Sequence, residues 1–371
     1  MPLGDNPDLP VQRHLLTEQV LAHLRAGIAS GCWGKLLPTE RNLAASLHVS
    51  RSTLRVALKA LRHEGSIESV RALGNKITAR VGRTPAAPIT HTVGLLAPGP
   101  LHLHAPFANA WLDHLRSELH DYGMGIVVHE NSHVYTQTRR STALEQLVTR
   151  NRHDFWVPVL STPVMQSWFA RSGLPCVLAG SPHRGIELPS VDVDFFAACR
   201  HAAVTLLQLG HRHILYIDEQ SRARGYSLSE AGFSKGVAEY GDPDIEITVR
   251  RVRPEDRLTA AQIQPIWRRQ HPPTAVLVMT AGRCLGIHGC LAQLGLRVPG
   301  DVSLLCRSSG TFFEHMVPTP AHYEFSPDEY AALLAHHVLA KFKGSPPGDQ
   351  AHQLMPKFVR GESLGRAPER K

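Results

Sequence analysis

Leu15, Leu16, Val20, Leu21, Leu24 and Ile28 recur at helical spacing and stop at Ser30 and Gly31, a pattern that predicts a first amphipathic helix. After a loop containing Pro38, Thr39 is placed to cap a short second helix with Leu43, Ala44 and Leu47 inward, ending near His48 and Val49. Ser50 opens a third helix. There Leu54, Ala57, Leu58 and Leu61 form a packing stripe, while Arg51, Arg55, Lys59 and Arg62 line a neighbouring basic face. Beyond Glu64 and Gly65, residues 66–70 and 76–81 read as two strands around the turn from Arg71 to Asn75, a hairpin wing.

From Thr92 onward the period changes. Short apolar runs at 93–96, 125–128, 155–159 and 176–179 alternate with helical stretches at 111–122 and 143–149. The pattern restarts with runs at 214–217, 245–252, 275–279 and 303–306. Such alternation predicts parallel sheets flanked by helices, and the restart predicts two α/β lobes with a ligand cleft at the carboxyl ends of their strands. The Pro/Ala-rich stretch 82–88 has no periodicity and reads as a connection between domains. The expected fold is an α+β winged helix-turn-helix at 1–83, a linker at 84–91 and a two-lobed α/β domain at 92–371.

Charge sharpens this division. Residues 1–83 carry 12 Lys+Arg against 6 Asp+Glu, whereas residues 84–371 carry 28 against 26. The excess in the first unit favours a polyanion as its partner, because neutralised phosphates release counterions. At the start of the third helix, Arg51, Ser52, Thr53 and Arg55 stand where donors meet a major groove: arginine grips guanine O6 and N7 bidentately, and the hydroxyls hold phosphate or base.

Other chemistry is not indicated. The amino terminus has neither a basic nor an apolar signal region, and no run approaches 18 apolar residues, so a cytoplasmic protein without a membrane partner is expected. Six cysteines show no C-x-x-C pair, and the 23 histidines form no ligand set, so neither metal nor cofactor is expected. No nucleophile elbow, phosphate loop or carboxylate constellation marks a catalytic residue, which excludes the common enzyme classes.

The first unit resembles the GntR-type winged-helix regulators. The resemblance rests on Leu37 to Arg41, Leu43 and Ala44, the run Val49 to Arg55, Ala57 and Leu58, Leu61, and Glu64 with Gly65. It implies DNA contacts by Arg41, Arg51, Thr53 and Arg55, and a further one by the wing around Gly74. At the wing tip this sequence has Ala72, Leu73 and Gly74 where the family has Gly-x-Gly.

The second unit resembles the sensor domain of the lactose/galactose repressor family, which shares its fold with periplasmic sugar-binding proteins. The resemblance is carried by Val93 to Leu96, Leu174 to Leu178, Val193 and Asp194, Leu206 to Ile214, Gly232 and Phe233, Gly295 to Ser303, and Val359 to Ser363. It implies a first lobe of 92–210 with 319–343 and a second of 211–318 with 344–371. It also places Ser229 where the family has a sugar-binding arginine, Thr280 and Ala281 where it has an Asn-Asp pair, and Ser308 where it has an aspartate.

These replacements do not suit a typical pyranose, whose hydroxyls need charged partners. Nearby stand Arg222, Arg224, Arg283 and Arg307. One reading is an anionic or phosphorylated, sugar-derived effector; the other is that these arginines face solvent or pair with Glu230 and Glu314. Phe107 and Asn109 are further cleft candidates, Phe107 as a stacking ring or a core residue. Asp194 is either a cleft residue or a helix cap. The expected function is transcription regulation by a homodimer on a double-stranded DNA operator, as an effector-modulated repressor. The alternative is a DNA-binding regulator whose sensor domain only dimerises or binds a protein partner.

Overall fold

The computed structural model describes residues 20–369 apart from 22, 26, 29–32, 34–35, 48, 64–65, 71–73, 78–89, 102–105 and 344–350, and apart from the side chains of 63, 70, 106, 107 and 343. The chain divides into two compact units, Met1–Pro88 and Ile89–Lys371.

In the first unit, helical residues between 20 and 28 precede α1 (Glu40–Ser46), α2 (Arg51–His63), β1 (Ile67–Val70) and β2 (Gly74–Ile77). Thr39 caps α1 by accepting from the amide of Asn42 at 3.3 Å, and Ser50 caps α2 by accepting from the amide of Thr53 at 3.1 Å. One buried cluster joins Val20, Leu24 and Ile28 to Leu43, Leu54, Leu58 and Leu61, so the stripe read from the sequence is the core of this unit; Leu15 and Leu16 lie outside the described residues. The wing is an antiparallel hairpin in which Val70 pairs with Gly74. Its second strand therefore starts two residues before the expected Lys76, and Gly74 has φ +90°, a conformation costly for any residue with a Cβ. The amide of Leu37 donates to the carbonyl of Asn75, anchoring this strand to the segment before α1.

The second unit has two lobes. In the first, β3 (His91–Ala97) pairs in parallel with β4 (Met124–Glu130) and β5 (Phe155–Pro158). Single bridges from Trp156 to Cys176 and from Val159 to Ala179 carry this sheet on to β6 (Leu178–Ala179) and β7 (Ser190–Val193). Between these strands lie α3 (Pro106–His120), α4 (Ser132–Thr136), α5 (Thr142–Arg150) and α6 (Pro163–Ser172), with α7 (Phe195–Gln208) following β7. The second lobe contains β8 (His213–Glu219), α8 (Arg224–Tyr240), β9 (Glu246–Val252), α9 (Ala260–Trp267), β10 (Ala275–Val278), α10 (Ala281–Gln293), β11 (Ser303–Cys306) and β12 (Ala321–Glu324). After α11 (Pro327–Lys343), the chain returns through β13 (Ala351–Leu354) and β14 (Lys357–Val359). The second sheet runs β14-β12-β11-β10-β8-β9.

The carboxyl-terminal crossings correct the expected lobe partition. β12 hydrogen-bonds beside β11 in the second lobe, not the first, and β13 pairs with β7 in the first lobe, not the second. α7 also belongs with the second lobe, because Ala198, Cys199, Ala202, Leu206 and Leu207 pack with Ile214, Tyr216 and Phe233. The chain thus changes lobe between β7 and α7, between β12 and α11, and between β13 and β14. At Gly232, α7 and α8 approach so closely that an added Cβ would lie 2.1 Å from the carbonyl oxygen of Phe196.

Candidate functional site

In the first unit, the buried face of α2 commits its other side to solvent. Arg51, Ser52, Arg55, Lys59 and Arg62 are exposed along that side, with Thr53 half-buried. The cap gathers three hydroxyls: Ser50 Oγ lies 2.7 Å from both Ser52 Oγ and Thr53 Oγ1. Arg55 is 67% exposed, yet its Nε donates to Glu40 Oε2 at 2.9 Å, which orients the guanidinium toward α1. Arg41 is exposed on α1, and Gly74 is exposed where the wing re-enters its strand. Val56, 58% exposed between Arg55 and Ala57, was missed by sequence reading. It lies off the apolar stripe, and that displacement was the available signal.

In the second unit, a cavity of about 130 Å³ opens between the lobes at the carboxyl ends of their strands. The first lobe lines it with Trp111, Ser161, Ser181, Asp192 and Tyr330; the second contributes Arg224, Tyr226, Thr280, Arg307 and Ser308. Phe195 and Phe325 also line it, at two of the crossings between lobes.

Arg307 dominates the second lobe's share. It directly follows β11, is 6% exposed, and donates through Nη1 to Ser229 Oγ at 2.7 Å. Its Cζ lies 4.2 Å from the centre of the Phe195 ring and 4.7 Å from that of Tyr226, a guanidinium packed on two aromatic rings. Its Nε is buried without a hydrogen-bond partner. Asp192 stands in the first lobe's wall, 7% exposed, accepting from Ser181 Oγ at 2.7 Å and from the amide of Val193 at 2.8 Å. Burial pushes its carboxyl above the usual range against the pull of those hydrogen bonds. Behind the cavity, burial likewise pushes Asp218 up to about 6.

The other candidates divide. Arg224, Thr280 and Ser308 line the cavity with Arg307. Thr280 Oγ1 donates to Glu219 Oε1 at 3.0 Å, and the same carboxylate accepts from Tyr226 OH through Oε2. Ser229 is fully buried and supports Arg307 without reaching the cavity. Arg283 is corrected: its guanidinium is held by the carbonyls of Arg253, Pro254 and Asp256 and lies near Glu219, so it faces away from the cleft. Asp194 caps α7 by accepting from the amide of Ala197 at 2.8 Å, the capping alternative of the two readings. Asn109 is exposed on α3 and does not line the cavity. The side chain of Phe107 lies outside the described residues. Neither Glu230 nor Glu314 pairs with a cleft arginine: Glu230 holds Arg251 at 2.6 Å and Glu314 lies beside His315.

Sequence reading missed Asp192, Ser181, Phe195 and Tyr226. Asp192 lies two residues before the noted Asp194, inside β7, and the strand-to-helix boundary at Asp194 was the signal that distinguishes the cavity wall from the cap.

No helix among the described residues is long and apolar enough to cross a membrane, and no group of three His, Cys, Asp or Glu among them is placed to hold a metal ion. The five described cysteines are free and buried; Cys32 lies outside the described residues.

Comparison with known proteins now adds the families. Residues 16–77 match the profile of the bacterial regulatory proteins of the gntR family, and residues 203–364 match the periplasmic binding protein-like domain. The chain therefore joins a gntR-type helix-turn-helix domain to a periplasmic-binding-protein-like domain. Among relatives, it is 31% identical over 119 residues to the HTH-type transcriptional regulator AglR of Rhizobium meliloti (strain 1021), a match covering 32% of this chain and 33% of that protein. It is 24% identical over 191 residues to a probable opine utilization operon repressor of Rhizobium rhizogenes, covering 47% of this chain and 94% of that one. The chain thus spans about a third of the length of AglR. A LacI family transcriptional regulator from Enterococcus faecium, solved with bound ribose, superposes with a TM-score of 0.63 at 17% identity, covering 75% of this chain and 100% of that chain. At that identity the likeness concerns the fold.

Proposed function

We propose that this protein is a DNA-binding transcription regulator rather than an enzyme, a repressor whose grip on an operator responds to a small molecule held between the lobes of its second unit. The carrying observation is the division of α2 into a buried apolar face and an exposed basic one, with Arg51 and Ser52 at its first turn. A short helix so divided, preceded by α1 and followed by a wing, has the form of a major-groove reader. The gntR-family match over 16–77 supports this reading. A homodimer would present two such helices to a palindrome whose half-sites lie a whole number of helical turns apart.

The cavity supports the effector half of the proposal over a scaffold that only dimerises, since its walls come from both lobes and meet where the chain crosses between them. A ligand touching both walls favours one lobe angle and shifts the equilibrium by its differential affinity for the two arrangements. Selection of genomic fragments by the full-length protein, followed by footprinting, tests the DNA half. The expected result is protection of an inverted repeat, with affinity falling steeply as salt rises. Equal binding to all sequences would overturn it.

A further inference from the structure

The cavity wall carries a buried cation and a buried carboxyl, contributed by different lobes. Arg307 directly follows a strand of the second lobe, and Asp192 lies within a strand of the first. Between them the walls are mostly rings and small apolar groups, Trp111, Phe325 and Tyr330 among them. The rings of Phe195 and Tyr226 both pack against the guanidinium, which leaves its N–H edge as the part suited to an anion. One edge position, Nη1, is taken by Ser229, and Nε has no acceptor. Arg307 is buried, and the carboxylates of Asp192 and Asp218 act on it through space, with no hydrogen bond to either among the described residues. A buried guanidinium with an unfilled donor, set in the wall of a largely apolar cavity, is suited to a planar anion.

We infer that the cleft binds a compact carboxylate with a flat apolar body, its anionic group on the free edge of Arg307 and a hydroxyl or ammonium at its far end donating to Asp192. This rests on the effector half of the function proposed above. A neutral sugar satisfies it less well, because it brings no anionic acceptor to the unfilled Nε of Arg307. Bound in this way, the molecule ties one lobe to the other and acts as the closing element of the sensor.

Titration calorimetry on the full-length protein tests the inference with 4-hydroxybenzoate, benzoate, 4-hydroxybenzamide and ribose. The expected order is 4-hydroxybenzoate tightest, benzoate next because it lacks the far donor, and the amide at least about tenfold weaker than its acid, the loss expected when a charge-assisted contact becomes neutral. Asp192→Asn should remove the advantage of 4-hydroxybenzoate over benzoate while leaving the preference for acid over amide. Arg307→Gln should abolish that preference. If this variant misfolds, the acid-amide comparison on the unaltered protein still decides.

Binding of the amide or ribose as tightly as 4-hydroxybenzoate, or no heat from either acid up to about 1 mM, overturns the inference. Operator affinity measured with and without each compound separates the levels. A neutral compound that shifts operator binding defeats the carboxylate and keeps the regulator. Acid binding that leaves operator affinity unmoved keeps the carboxylate site and defeats the effector role.

Discussion

Arg307 Nη1 donates to Ser229 Oγ at 2.7 Å, and Ser229 in turn donates to the carbonyl of Gly225 at 2.7 Å. The family resemblance assigns an arginine to the position that Ser229 occupies. Here the guanidinium comes from the carboxyl end of β11 instead and rests against that serine. A basic group near this wall of the cavity is retained, but it enters from the end of a strand and not from α8.

Ser229→Ala removes the acceptor that Nη1 has among the described residues while adding no bulk. Leaving a buried charged donor unpaired costs about 1–3 kcal/mol, so urea denaturation should show an unfolding free energy lowered by that amount and an earlier midpoint. Ser229→Thr, which keeps the hydroxyl, should cost less if the adjoining space admits a methyl group. An unchanged midpoint in Ser229→Ala would show that Arg307 is held by its aromatic neighbours alone.

On the DNA side, Arg51→Ala should weaken operator binding by about 1–3 kcal/mol and relax base preference at one position of each half-site, if the contact is bidentate. Arg55→Ala should do the same. Glu40→Ala should change stability little, since exposed ion pairs contribute about 0–1 kcal/mol. Because Glu40 holds Arg55 through Nε, that variant should still alter specificity. Gel-shift competition with single-base operator variants reads all three.

Val56 stands solvent-exposed beside these cations. A methyl-bearing side chain there is suited to the C5-methyl of thymine. Val56→Ser should weaken binding to an operator and lose discrimination between thymine and uracil at one position. Equal affinity for thymine- and uracil-substituted operators in the unaltered protein would remove this contact.

Gly232→Ala should be among the most damaging single-methyl changes in the chain. The added carbon would fall 2.1 Å from the backbone oxygen of Phe196, and backbone cannot rotate away as a side chain can. Forcing α7 and α8 apart costs about 1–3 kcal/mol or more, visible as a lowered thermal midpoint. Gly282→Ala, with open space around its Cα, should leave the midpoint unchanged or raise it slightly.

Acid should destabilise the second unit through His211. Its ring is buried, bonded to Thr274 Oγ1 at 2.9 Å and to Ser303 Oγ at 3.0 Å, and burial lowers its pKa from 6.5 to about 4. The unfolded chain takes up this proton first, so the contribution is complete above pH 6.5 and is lost as pH falls toward 4. A shift of that size corresponds to roughly 3 kcal/mol. Denaturant midpoints between pH 7.5 and 4.5 should fall more steeply for the unaltered protein than for His211→Gln.

Much of this molecule is legible in its pattern of side chains. The stripes of α1 and α2, the caps Thr39 and Ser50, and the alternation of apolar runs follow from local periodicity and hydrogen-bonding chemistry, which neighbouring residues set among themselves. Exposed cations on α2 were legible for the same reason: when one helix face is committed to a core, the opposite one must meet solvent. The cleft was legible as a location, at the carboxyl ends of parallel strands, and through Arg307, Arg224, Thr280 and Ser308.

What only the tertiary structure decided are pairings between residues far apart in sequence. Asp192 and Asp194 are equivalent in composition, yet Asp192 lies within β7 and lines the cavity, while Asp194 lies just past the strand and caps the first turn of α7. Arg283 and Arg307 are equally basic; the first is bound by the carbonyls of a loop some 30 residues upstream, and the second is enclosed by Phe195 and Tyr226. β12 and β13 exchange the lobes that chain order suggests, because sheet edges are chosen by hydrogen-bond partners brought together only when both lobes have formed. Local pattern determines which face of an element is buried; the packed fold determines which buried charge lines the cleft.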